Sequence, residues 1–229
     1  MQDIVSQAQD VFEGLYYENA PSSDAFDMSI QAIGQRALRN IALSYMASVD
    51  ERDAALRAQD QYNNAVTMTE RVGALTVLSG MTGAERDACF DDFYARFHDK
   101  ELIVNKWFGL QATAKRESII EDVHALMTHK DFSFSNPNRL RSVVGAFAMR
   151  NTYGFHHESG AGYKILCDTV IALNGKNDQV AARLLTPMRQ WKLYTSDRQA
   201  LMKAELERIL ATPDLSNDIF EVVNRCLNA

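Results

Sequence analysis

The sequence has few cysteines and prolines and lacks a long hydrophobic run. Its 229 residues include three cysteines and four prolines. Cys89, Cys167 and Cys226 are odd in number, widely spaced and set in apolar helical patterns. This predicts buried, reduced thiols and excludes a disulfide framework or a zinc knuckle. No apolar stretch is long enough to span a membrane, and no basic leader with an apolar run is visible at the start. We therefore predict a cytoplasmic protein without a membrane partner.

The chain also lacks a concentration of positive charge. Its 24 basic and 30 acidic side chains give a net charge of −6 and are dispersed along the sequence. A nucleic-acid-binding surface requires clustered lysines and arginines, so we predict no nucleic-acid partner. Strand signals are equally scarce, because alternating apolar and polar runs bounded by tight turns are absent.

Apolar residues instead recur at the spacing of helices. The residues of three such stripes are Ile30, Ile33, Ala37 and Ile41; Leu140, Val143, Val144 and Phe147; and Ala181, Leu184, Leu185 and Met188. Offsets of three, four and seven residues predict helices with one packed face. Helix starts are predicted at Asn136 followed by Pro137, and by capping boxes at Thr67 with Glu70, Thr82 with Glu85, and Ser196 with Gln199.

Helices with short connections imply antiparallel neighbours, and stacked antiparallel pairs form a solenoid with a concave binding face. We therefore predict an all-α chain of stacked antiparallel helix pairs, organised as one domain over residues 1–229. A first helix is predicted from Gln2 to about Tyr17. A loop from Ala20 to Ser23 separates it from the remainder.

Three arginines are the candidate functional residues. Arg141 shares a helix face with Gly145 and Ala148, and these small residues leave open space in front of its guanidinium. Arg183 points away from the core face of its own helix, on the side of Val180, and Pro187 is expected to kink that helix. Arg139 and Arg141 diverge by about 200°, so at most one of them can face a given cavity. The simpler alternative is that one of them forms a surface ion pair.

The sequence around His156, His157 and Glu158 contains residue types that bind zinc. Adjacent residues rarely converge on one ion, so we favour a hydrogen-bonding role that anchors the loop over a metal site.

Several long segments resemble, in the same order, the C-terminal helical domain of bacterial aminopeptidase N, a zinc-dependent gluzincin family. The segments are IGQRALRN from Ile33, FYARFHDKELIVNKWFGLQA from Phe93, NPNRLRSVVGAFAMRN from Asn136, HHESGAGYKIL from His156 and NDQVAARLLTPMRQWKLY from Asn177. The resemblance extends from Ile33 to Ala229, whereas the first helix, within residues 1–20, matches only loosely.

The resemblance implies an armadillo-like or HEAT-like α-solenoid in which Arg141 and Arg183, with Arg139 as a further candidate, line a peptide channel. It also implies more helices upstream and a zinc-containing catalytic domain in the same polypeptide. The family holds its catalytic zinc with an H-E-x-x-H helix, because two histidines one turn apart share a face. None of the five histidines here has that pattern. We therefore predict no catalytic residue, cofactor or metal in this chain, and peptides as substrates of the whole enzyme.

A second interpretation is a free-standing α-solenoid that binds a protein partner on its concave face. A self-sufficient solenoid needs polar caps at both ends. The last helix has a polar face that fits this role, whereas the first helix shows no capping character, so we favour the aminopeptidase interpretation.

Overall fold

A computed structural model describes residues 7–21 and 25–228, and these residues form helices and no strand. The prediction of an all-α chain is confirmed. The chain divides into two compact units, Met1–Lys100 and Glu101–Ala229. The organisation as a single domain stays a prediction.

The first unit contains five described helices. They are α1 (Gln9–Glu18), α2 (Ile30–Met46), α3 (Glu51–Asn64), α4 (Met68–Ser79) and α5 (Ala84–Phe97). Helix α1 packs on α2, and α4 packs on both α2 and α3. The start of the predicted first helix at Gln2, and Ser22 and Ser23 of the predicted loop, lie outside the described residues.

The capping predictions have different outcomes in the structure. At Thr67 the capping box is present, because the hydroxyl accepts the Glu70 N–H and the Glu70 carboxylate accepts the Thr67 N–H. The prediction at Thr82 is wrong: α5 follows Gly83, whose φ of 124° favours glycine and gives the chain its bend. The prediction at Ser196 is also wrong, since Thr195 is the N-cap and no side chain caps the helix there.

Helix α2 corrects a further expectation about packing. Its apolar stripe was expected to pack, yet Ile30 is 90% exposed, Ile33 50% and Ile41 51%. The buried side of α2 consists of Ala42, Leu43 and Met46. Within the described residues, the isoleucines of the predicted stripe therefore stay at least half exposed.

The second unit is also helical. Its elements are α6 (Glu101–Ala112), α7 (Ile119–Met127), α8 (Pro137–Leu140), a π-helical turn (Arg141–Gly145), α9 (Ala146–Arg150), α10 (Thr152–Phe155), α11 (Ala161–Leu173), α12 (Asp178–Leu184), a 3₁₀ segment (Thr186–Leu193), α13 (Ser196–Leu210) and α14 (Asn217–Asn228). Asn136 caps α8 as predicted, accepting the N–H groups of Asn138 and Arg139.

The two apolar stripes predicted for this unit form its core. The first stripe, Leu140, Val143, Val144 and Phe147, is fully buried. The second stripe is buried as well; its residues are Ala181, Leu184, Leu185 and Met188. The predicted kink at Pro187 takes the form of a helix end: α12 stops at Leu184, and Pro187 lies in the first turn of the 3₁₀ segment. This position suits proline, since an N–H there would have no helical partner.

All three cysteines are buried free thiols, as predicted. Burial raises the pKa of Cys89 to about 11, because a thiolate would lose its hydration. Over residues 7–21 and 25–228, no helix has the length and apolarity needed to cross a membrane.

Candidate functional site

The candidate site is built on a π-helical turn. Between Arg141 and Gly145 the helix widens, and the Ala146 N–H donates to the Arg141 carbonyl five residues earlier. Such a turn inserts one extra residue, which rotates everything that follows by about 100°. Isolated π-turns of this kind are frequently found at functional sites.

A pocket of about 440 Å³ opens beside this turn, within the second unit. Its lining residues are Arg141, Gly145, Ala146, Met149, Arg150, Val180, Arg183 and Leu184. The volume is within the range of about 300–1,000 Å³ usual for ligand pockets. Arg141 and Arg183, which the sequence selected separately on two helices, thus line the same pocket.

Gly145 lies next to Leu184 of α12. A Cβ atom built on Gly145 would lie 3.6 Å from the Leu184 Cδ2 atom, at ordinary van der Waals distance. Of the two small residues predicted in front of Arg141, Gly145 lines the opening and Ala148 does not; Ala146 and Leu184 complete its apolar floor.

Arg150 is a third arginine in the pocket and was not selected from the sequence. On a regular helix it would lie about 180° from Arg141, and the extra residue of the π-turn brings it towards the same side. Its Nη2 atom lies 3.5 Å from the position that a Cβ would take at Gly109 of α6. The guanidinium of Arg150 therefore packs near α6 at this glycine.

The ion-pair alternative does not describe these three arginines. Arg141, Arg150 and Arg183 form no salt bridge with any carboxylate in the described part of the chain. Arg141 donates from Nη1 to the Asn138 Oδ1 atom at 3.3 Å, which leaves its charge uncompensated. The pocket therefore combines three positive charges with an apolar floor.

Arg139 lies elsewhere. It is only 6% exposed and is absent from the pocket lining. Its guanidinium donates to the carbonyls of Asp131 at 2.9 Å and Glu101 at 3.1 Å, and to the side chain of Asn105. It also lies over the ring of Phe108. These contacts join α6, the loop before α8 and α8 itself, which is a structural role.

His156 anchors its loop by hydrogen bonding. Its Nδ1 atom lies 2.9 Å from the Tyr163 hydroxyl, and its ring stacks on Tyr194. Arg198 donates to its backbone carbonyl. Burial lowers the pKa of this imidazole, because the charged form would be poorly solvated, and the charge of Arg198 acts in the same direction. Over the described residues, no three histidine, cysteine or acidic side chains are grouped to hold a metal ion.

Comparison with known proteins gives the family. Residues 1–228 match the family described as "Domain of unknown function (DUF3458_C) ARM repeats". The chain belongs to this family. The predicted armadillo-like solenoid class is thereby confirmed.

Named relatives are aminopeptidases. Aminopeptidase N of Haemophilus influenzae is 40% identical over 202 residues, which are 88% of this chain and 23% of that protein. Aminopeptidase N of Escherichia coli is 35% identical over 209 residues, 91% of this chain and 24% of that protein. The crystal structure of Legionella pneumophila aminopeptidase A in complex with aspartic acid superimposes with a TM-score of 0.90 at 29% identity, covering 99% of this chain and 27% of that chain.

The chain spans about a quarter of the length of these relatives. The predicted resemblance to the C-terminal helical part of bacterial aminopeptidase N is confirmed.

Proposed function

We propose that this chain is the noncatalytic C-terminal helical domain of a zinc-dependent aminopeptidase N, and that its arginine pocket binds the distal part of peptide substrates. The observation that carries the proposal is the convergence of Arg141, Arg150 and Arg183 on one pocket in a chain related to aminopeptidases. The relevant partners are peptides and the catalytic domain of the same polypeptide. The compartment proposed is the cytoplasm.

The chemistry of the pocket suits a peptide. Guanidinium groups bind carboxylates and carbonyls through paired hydrogen bonds, and they remain charged at all physiological pH values. The floor of Gly145, Ala146 and Leu184 offers apolar surface to side chains of the same ligand. Since a guanidinium cannot serve as a general base at neutral pH, the role of these arginines is to orient a peptide whose first bond is cleaved elsewhere.

Zinc belongs to the other part of the proposed enzyme. The residues of this chain do not fit a catalytic zinc, since the H-E-x-x-H pattern is absent and no suitable cluster occurs in residues 7–21 and 25–228. The contribution of this domain is to enclose the reaction chamber. An enclosed chamber admits peptides and excludes folded proteins, so it selects substrates by access.

The test compares two substrates of the complete enzyme. Replacing Arg141 or Arg183 by alanine removes one charged hydrogen-bonding group, which is worth about 1.5–3 kcal/mol, or roughly a 10- to 100-fold loss of kcat/KM for peptides of several residues. A short aminoacyl chromogenic substrate does not reach the pocket and should be turned over almost normally.

Two matched variants sharpen this comparison. Arg141→Lys keeps the charge but loses the paired geometry, so we expect an intermediate effect on peptides. Arg52→Ala removes an exposed arginine of α3 outside the pocket and should leave both substrates unaffected. Equal losses for the peptide and the chromogenic substrate in Arg141→Ala and Arg183→Ala would rule out the channel role.

A further inference from the structure

From Ile30 to Ile41, the outward face of α2 is a continuous apolar surface. It is formed by Ile30, Ile33, Gly34, Ala37, Leu38 and Ile41, which together occupy about 140° of the helix circumference. All six are exposed, and a Cβ built on Gly34 would meet no atom within 4 Å. Met28, just before the helix, is 70% exposed and extends the surface. Contiguous exposed apolar patches often mark interaction sites.

The face carries no charge, because both arginines of α2 are used on other sides of the helix. Arg39 pairs with the buried Glu70 at 3.5 Å and lies over the ring of Tyr16. Arg36 donates to the carbonyl of Asp27. The helix therefore points its cations towards its own unit and its isoleucines outwards, which is the reverse of an ordinary surface helix.

We infer that this face of α2 is a docking surface for an apolar segment of the same polypeptide, outside these 229 residues. The inference rests on the proposed function, in which the chain is one domain of a longer enzyme. It adds the surface through which the domain attaches to the remainder. The relatives provide the basis for this occupant, since about three quarters of their length lies outside the matched region.

The size of the face favours an occupant in the same polypeptide over a second copy of the chain. A helix of 17 residues is about 25 Å long, so one face of it offers a few hundred Å². A stable dimer needs about 800 Å² from each partner. Covalent connection relaxes this requirement, because a linked segment has an effective concentration in the millimolar range.

A membrane surface is the less suitable occupant. Helices that lie on membranes flank their apolar face with lysines and arginines that contact anionic lipids. Here Arg36 and Arg39 are held by Asp27 and Glu70, and Gly34 and Ala37 make the centre of the face shallow. Small residues at the centre of a face suit the close approach of another helix.

Thiol labelling of the native-length polypeptide tests the inference. If the face is covered, the thiol of Ile33→Cys should react with a maleimide at least about tenfold more slowly than an exposed thiol, because labelling then requires local opening. Leu56→Cys in α3 is the matched control, since Leu56 is 47% exposed and has charged neighbours Arg52 and Asp60 on its helix. Ile41→Cys provides a second position on the face should Ile33→Cys fail to fold.

The outcomes separate the two proposals. Slow labelling at position 33 or 41 that is independent of protein concentration supports the docking surface. Rates equal to that of Leu56→Cys in a long, active aminopeptidase would overturn the docking surface alone. Slow labelling that becomes fast on dilution would assign the face to a second copy and overturn the inference. A native polypeptide of 25.8 kDa would overturn the proposed function, and the docking surface with it.

Discussion

Two helices of this chain have the same apolar pattern and opposite surroundings. The stripe of Leu140, Val143, Val144 and Phe147 is fully buried in the second unit, whereas the stripe of Ile30, Ile33, Ala37 and Ile41 on α2 is exposed in the first. Periodicity identifies which side of a helix is apolar. It does not reveal whether the surface that covers this side belongs to the same stretch of chain. An exposed apolar stripe is therefore informative about missing neighbours.

The largest expected difference between the two stripes is in the free energy of unfolding. Phe147→Ala should destabilise the 229-residue chain by about 3–5 kcal/mol, because it leaves a cavity beside Phe155. Ile33→Ala should change the free energy by less than about 0.5 kcal/mol, as an exposed substitution does. Urea denaturation of both variants checks this. A loss above about 2 kcal/mol for Ile33→Ala would show that the Ile33 face of α2 packs within the chain.

The arginines offer a second contrast, of intermediate size. Arg139→Ala removes a buried side chain and the donor to the carbonyls of Glu101 and Asp131, at a cost of about 1–3 kcal/mol. Arg141→Ala removes an exposed side chain and should be neutral for stability within about 0.5 kcal/mol. Thermal unfolding followed by circular dichroism distinguishes them. Similar losses in both variants would mean that Arg141 is also structural.

The smallest change in the free energy of unfolding is expected for substitutions of Gly34, and the sign of that change is the informative result. In the 229-residue chain Gly34→Ala should be stabilising by up to about 1 kcal/mol, because alanine has the higher helix propensity and the added Cβ meets no atom. If α2 is covered by a close neighbour in the longer polypeptide, Gly34→Leu should be tolerated in the short chain and destabilising in the long one. Denaturation of both lengths tests this, and equal effects would argue against a close neighbour.

Local rules predicted much of the second unit. The burial of the stripes at Leu140 and Ala181, the cap at Asn136 and the opening in front of Arg141 all follow from spacing and residue size, and all are present. Arg150 could not be placed, because a regular helix turns it away from Arg141 and only the π-turn brings it round. Nothing in the spacing of the apolar residues signals the extra residue of that turn.

Other features depend on partners that are distant along the chain. The acceptors of Arg139 come from Glu101, Asn105 and Asp131, so its burial was not visible in its own helix. A local exception is Gly83: Thr82 and Glu85 have capping-box spacing, yet the positive φ of this glycine starts the helix differently. The exposure of α2 has the same origin, since a stripe alone does not specify what lies against it.

The most direct test of the central claim is the size of the native polypeptide that carries this sequence. An immunoblot of source cells with an antibody against the purified chain should show a band far larger than 25.8 kDa, of the length that the aminopeptidase relatives have. That result would support a domain of a longer aminopeptidase. A single band at 25.8 kDa would contradict it and favour a free-standing solenoid that binds a protein partner.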